Sequence, residues 1–169
     1  MKGSHFYLAL RFAAIALCGF HFSMAQAETF DGTVVGIADG DTLIVLNNDQ
    51  QEVKIKLAEI DAPEKRQAFG ARSKQSLSDL CFGKQAEITP IHKDRYQRTA
   101  ARVKCSGVDA NIEQVKRGMA WVYPRYVEDH SLYVMQKEAK VAKRGLWADS
   151  SPTAPWEFRK RGKPRLREV

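Results

Sequence analysis

Three apolar segments that read as strands follow one another too closely for a helix to run between them, and this constrains the fold more than any other feature. Phe30–Ile37 is rich in valine and threonine, and residues 42–46 are β-branched and apolar. In Glu52–Leu57 the apolar Val53, Ile55 and Leu57 alternate with Glu52, Lys54 and Lys56, the period of a half-buried strand. Turn-forming residues join them, Asp39-Gly40 between the first two and Asn47-Asn48-Asp49 between the second and third. Parallel neighbours need a crossover of about a dozen residues or more. The three segments therefore predict an antiparallel meander and argue against a parallel α/β sheet.

After the meander the periodicity changes. Residues 68–80 place Phe69, Arg72-Ser73, Ser76-Leu77 and Leu80 at helical spacing, and Gly83 stops the pattern. Residues 85–91 and Thr99–Cys105 read as two more strands around a polar loop at 92–98. A short helix is expected over 109–117 with Gly118 at its end. A second is expected over 131–144, N-capped by Ser131 and closed by Gly145. Five short strands, with a helix between the third and fourth and helices after the fifth, predict an α+β fold built on a small closed β-barrel of the OB type.

The two ends of the chain read differently from this body. Residues 1–27 carry Lys2, Arg11, an apolar run at 12–20 and a small-x-small site at Ala25-Gln26-Ala27. That is the layout of a secretory signal peptide, and the apolar run is too short to span a bilayer. Export to the periplasm or beyond is expected, with no membrane attachment after cleavage. Removing 27 of the 169 residues leaves 142, enough for one domain, expected over 28–149. A Pro/Ser-rich, basic tail, expected to be mobile, follows over 150–169. The formal net charge is +7, but residues 28–155 hold 19 basic and 18 acidic side chains, whereas 156–169 hold six and two. A nearly neutral body does not bind nucleic acid by charge alone, so any such affinity must come from a site. Two cysteines remain after cleavage, Cys81 and Cys105. Export favours a disulfide over two buried thiols.

Two acidic segments are the candidates for chemistry. In Asp39-Gly40-Asp41-Thr42 and Asp61-Ala62-Pro63-Glu64, carboxylates sit at strand or turn edges where they can converge on a hard cation. Each segment also has a plain structural reading. Asp-Gly is a common hairpin turn, and Asp61 with Pro63 can open a helix, Glu64 lying in its first turn. Asp94-Arg95-Tyr96-Gln97-Arg98 supplies cations of the kind that neutralise phosphate oxygens, or is simply a solvated loop. Trp121 and Tyr123 offer flat faces for a base, or pack in the core.

Taken together and in order, these segments resemble the staphylococcal nuclease (thermonuclease) family. The likeness runs through Asp39-Gly40-Asp41-Thr42, Lys56-Leu57-Ala58-Glu59-Ile60-Asp61-Ala62-Pro63-Glu64, Gly70, Asp94 to Arg98, Asn111, Gly118-Met119-Ala120-Trp121-Val122-Tyr123 and Arg144-Gly145-Leu146-Trp147. The resemblance implies a five-stranded OB barrel with about three α-helices. It also implies a monomeric, calcium-dependent endonuclease of DNA and RNA that prefers single-stranded or locally open stretches and leaves 3′-phosphates. Asp41, Asp61 and the backbone carbonyl of Ala62 then correspond to the Ca2+ ligands, with Asp39 near the ion through water. Glu64 corresponds to the residue that activates water, and Arg98 to the arginine that meets charge on the phosphate. Arg95, Tyr96, Trp121 and Tyr123 fall where a terminal phosphate and the nucleotide are held.

Three positions depart from the family pattern. Lys56 stands where an arginine is usual, which keeps the charge but loses the planar fork, and predicts an active enzyme with slower turnover. Gln97 stands where glycine is common and Glu59 where a small residue is common, the latter adding negative charge near the acidic cluster. Aligned on the family's strands, Cys81 precedes the fourth and Cys105 ends the fifth, and a Cys81–Cys105 disulfide is expected. The alternative function is a non-catalytic OB module that binds single-stranded nucleic acid or a protein. Retention of Asp41, Asp61, Glu64 and Arg98 together argues for the enzyme.

Overall fold

The computed structural model describes residues 28–94 and 98–161. The signal-peptide expectation, Arg95, Tyr96 and Gln97 fall outside the described residues. The meander is as expected: β1 (Phe30–Ile37), β2 (Thr42–Asn47) and β3 (Glu52–Leu57) pair antiparallel, with Thr33 opposite Leu46 and Thr42 opposite Lys56. After a two-residue strand β4 (Ile60–Asp61) and helix α1 (Gly70–Cys81) comes the hairpin of β5 (Gln85–Lys93) and β6 (Thr99–Cys105). β5 pairs with β1, and β6 pairs parallel with β3, which closes a five-stranded barrel. Two-residue β7 (Val108–Asp109) leads into α2 (Ala110–Lys116), and two-residue β8 (Trp121–Val122) pairs with β4. Helix α3 (Ser131–Val141), a 3-10 turn (Gly145–Ala148) and α4 (Pro155–Arg161) complete the described chain.

Strand alternation places the core. Val34, Leu43, Val45, Ile55, Leu57, Ile88 and Val103 are fully buried inside the barrel, joined from the helices by Leu77, Val115 and Leu132. At about 1.5–3 kcal/mol for each large apolar side chain buried, this set supplies the main favourable term in folding. The Cys81–Cys105 disulfide is present and ties the end of α1 to the end of β6, with the two Cα atoms 5.2 Å apart. Asn111, buried on α2, satisfies three backbone groups at the barrel rim. Its Nδ2 donates to the carbonyls of Ala58 and Ala101, and its Oδ1 accepts from the N–H of Val103.

Several local readings change. Asp61 does not cap a helix; it lies in β4 opposite Trp121, and α1 begins at Gly70 behind a left-handed Phe69. Ser131 is the first residue of α3 rather than its cap, because the Asp129 carboxylate takes the Ser131 N–H at 2.9 Å. That helix stops at Val141, ahead of left-handed Lys143 and Gly145. Beyond Asp149, where sequence alone suggests a tail, α4 forms. Pro155 suits a first helical turn, Glu157 sits near its N-terminus, and Arg159, Lys160 and Arg161 crowd its last turn, each matching the helix dipole.

Candidate active site

The acidic turn between β1 and β2 is held against α1 with no room to spare. A Cβ on Gly40 would stand 1.9 Å from Ser73 Oγ and 2.9 Å from Ala62 Cβ, so only glycine allows this approach. Buried Gln114 on α2 clamps the turn: its Nε2 donates to the Gly40 carbonyl at 2.6 Å and to that of Ser73 at 3.1 Å, while Ser76 Oγ donates to its Oε1. From this base the Asp41 carboxylate enters the site almost fully buried. It accepts hydrogen bonds from Thr42 Oγ1 at 3.0 Å, the Ala62 N–H at 2.8 Å and Lys56 Nζ at 2.6 Å.

Asp61, equally buried, comes from β4. Its Oδ1 stands 3.7 Å from the same Lys56 Nζ, and the Arg159 guanidinium of α4 reaches both of its oxygens, at 2.6 and 3.2 Å. Arg159 Nη1 also donates to Glu64 Oε1 at 2.6 Å. Glu64 sits in the non-helical segment before α1, its side chain 39% exposed. Glu64 is set from two sides: a Cβ on Gly70 would lie 2.1 Å from its carbonyl oxygen, and its N–H donates to the side chain of Gln67. Asp41, Asp61 and Glu64 are thus brought together, and Asp39 lines the same cleft, its carboxylate accepting from the Asp41 N–H.

The charges are unequal in their surroundings. Burial acts to raise the Asp41 carboxyl, but the charge and hydrogen bond of Lys56, with the bonds from Ala62 and Thr42, outweigh it and hold Asp41 below the usual carboxylate range. Burial raises Asp61, and Asp41 adds to it; the Arg159 hydrogen bond and the Lys56 charge offset this only in part. Asp39 is raised too, first by burial and then by Asp41. Lys56 is disfavoured by burial, yet Asp41 and Asp61 together lift it above the ordinary lysine value.

The cleft encloses about 300 Å³ and is also lined by Arg98, Asp94, His92 and Tyr123. Arg98 is oriented by Asp94, whose carboxylate accepts from its Nε at 2.8 Å, its Nη2 at 2.7 Å and its backbone N–H at 2.9 Å. Trp121 does not line this cleft. It stacks edge-on with Trp147 and borders a second, adjacent cavity of about 240 Å³ under residues 149–153. Glu59 lines the rim, but its charge is met by an ion pair with Arg102 and by the N–H groups of Glu128 and Asp129. The structure therefore joins Asp39, Asp41, Lys56, Asp61, Ala62, Glu64, Arg98 and Tyr123 in one cleft and sets Trp121 beside it.

Residues 54–149 match the family model described as Staphylococcal nuclease homologue. The chain belongs to the staphylococcal nuclease family. It is 47% identical over 130 residues to an uncharacterized endonuclease of Haemophilus influenzae, covering 77% of this chain and 73% of the relative. It is also 39% identical over 166 residues to a micrococcal nuclease of Shigella flexneri, covering 92% and 94%. An uncharacterized endonuclease of Escherichia coli O157:H7 is 42% identical over 131 residues, covering 77% and 85%. The family match ends at residue 149, and two side chains of the site lie beyond it, Trp156 and Arg159. Sequence reading missed both. The only signal was a basic cluster after a Pro/Ser-rich stretch, which says nothing about where a side chain lands.

Proposed function

We propose that this chain is an exported, calcium-dependent endonuclease that cleaves DNA and RNA and leaves 3′-phosphate ends. That it is a nuclease, a hydrolase of phosphodiester bonds, rests on its family. The calcium part of this reading is carried by one observation: two buried carboxylates, Asp41 and Asp61, face the same ammonium group, at 2.6 and 3.7 Å. Such a pair offers only hard oxygen donors at a point where positive charge is already favoured, and this donor set suits Ca2+. Asp41, Asp61 and the Ala62 carbonyl would hold the ion, with Asp39 acting through water. Bound there, calcium supplies a Lewis acid and a template for the phosphate.

The chain's own groups account for the remaining steps. Glu64, half in solvent at the mouth of the cleft, takes a proton from the attacking water. Arg98, held rigid by Asp94, faces the cleft to meet charge growing on the phosphate oxygens. Lys56 adds a point charge rather than a fork. Tyr123 offers a face to the base, while Arg95 and Tyr96 are assigned the terminal phosphate and Trp121 the edge of the nucleotide site. An aromatic face such as that of Tyr123 takes an unpaired base, which supports a preference for single-stranded or locally open substrate. The disulfide suits an oxidising compartment, in keeping with export, and the enzyme is proposed to act as a monomer.

Digestion of heat-denatured DNA with calcium and again with a chelator tests the proposal. Loss of intact strands with calcium alone is expected. Intact DNA in calcium would overturn the enzyme reading, and activity that survives chelation would remove the cation.

A further inference from the structure

Part of the cleft described above is already engaged from within the chain, by Arg159 in its lining. Helix α4 sets two side chains on the functional surfaces, Arg159 in the cleft lining and Trp156 against Tyr123 beside it. Arg159 takes both oxygens of Asp61 and one of Glu64. Three residues earlier, Trp156 stacks on Tyr123 with the rings 5.3 Å apart and 8° from parallel, and meets Trp121 edge-on at 5.7 Å. Parallel stacking on an aromatic face is the geometry of a nucleobase. The guanidinium ties up one carboxylate assigned to the cation and the one assigned to the attacking water. Both contacts are made by a single turn of helix.

We propose that α4 is an internal competitor for the substrate site, with Arg159 holding the Asp61 carboxylate that calcium needs and the Glu64 carboxylate that water needs, and Trp156 in place of a base on Tyr123, so that calcium and single-stranded nucleic acid bind by displacing it. This rests on the assignment of calcium and nucleic acid to the cleft. Displacement follows because the fork takes both Asp61 oxygens, the donors that a cation at this carboxylate would use. It is also inexpensive. A helix of seven residues is marginal by itself, so α4 depends on its side-chain contacts for order. The preceding segment is tethered by Gln67, whose Nε2 donates to the Thr153 carbonyl at 2.6 Å, so the helix can leave the cleft while its base stays attached. Linkage is reciprocal: whatever holds α4 down weakens cation binding by the same factor.

The test uses the mature full chain and its Arg159→Gln and Arg159→Lys variants. Calcium affinity is measured by calorimetry without nucleic acid, and hydrogen exchange of residues 155–161 is followed with and without calcium and a thymidine oligonucleotide. Arg159→Gln is expected to bind calcium at least about five-fold tighter, the lower end of ordinary coupling between sites. Its α4 amides are expected to exchange fast even without calcium. Arg159→Lys, which keeps the charge without the fork, falls between. In the parent protein, calcium with oligonucleotide should strip protection from α4. Unchanged or weaker calcium binding by Arg159→Gln would overturn the proposal, and weaker binding would make Arg159 a supporting member of the loaded site. If calcium binds neither the parent nor the variants, the fault lies with the cation assignment. The oligonucleotide arm then decides, and α4 that stays protected at saturating oligonucleotide overturns the competitor.

Discussion

The two sides of the cleft are built by opposite means. On the Asp41 side most of the support comes from the barrel and its packed helices: a glycine pressed against Ser73, Gln114 bonded to the turn, and a lysine from the neighbouring strand. On the Glu64 side the supports are a loop pressed on Gly70, one glutamine and the arginine of a terminal helix. Asp41 is held below the usual carboxylate range and Asp61, at the boundary between the two sides, above it, although both are almost wholly buried. The difference lies in their partners rather than in their burial. One side is finished by folding, and the other is left to be finished by its ligands.

Glu64→Gln separates the sides most strongly. Acid–base catalysis contributes about 10²–10⁴-fold, so kcat should fall by that much while thermal stability holds and calcium binds no more weakly. A comparable loss of stability would show that Glu64 belongs to the folded frame. Next comes the disulfide, which belongs to the finished side. Its reduction should lower unfolding free energy by about 3 kcal/mol in denaturant titrations, and an unchanged midpoint would contradict that. Gln114→Ala strips partners from the Gly40 and Ser73 carbonyls and from Ser76. We expect a loss of about 2 kcal/mol together with weakened calcium binding; stability lost with calcium affinity intact would mean that the turn holds its shape without the clamp.

The smallest effect concerns Lys56 in the calcium-free protein. Its folded pKa lies above the unfolded value of about 10.4, so the stability it contributes is complete below that pH and is lost as pH rises through the higher folded value. Lys56→Met should be less stable at neutral pH by about 1–2 kcal/mol and lose less on going alkaline. Parallel alkaline curves for the two proteins would assign the loss to other groups.

Much of this was legible in sequence because it depends on short-range pattern. Alternation in Glu52–Leu57 and the turn residues on either side of β2 are enough to give the meander, and with it the placement of Asp41 at a strand entrance. Asp61 reads in sequence as a candidate site residue and does line the cleft, but its local structure is not legible there. A Pro two residues later reads as a helix start, whereas pairing with Trp121, sixty residues on, makes it a strand. In sequence Glu59 reads as added negative charge near the acidic cluster, because its partner Arg102 lies across the barrel seam and is not visible there. Arg159 was the hardest to foresee, since its contact with Asp61 spans 98 residues and follows no period. Patterns within an element are written locally; ion pairs between elements appear only once the chain has folded.

The barrel is sealed where β3 meets β6, and the seal runs beside the acidic turn: the Leu57 N–H donates to the Asp41 carbonyl at 2.7 Å and the Ala58 N–H to the Ala101 carbonyl at 2.8 Å. Opening that seam by heat pulls the Asp41 backbone out of register in the same event that exposes the core. Inactivation and melting should then trace a single curve, and activity regained on cooling would count the molecules that have closed their barrels again.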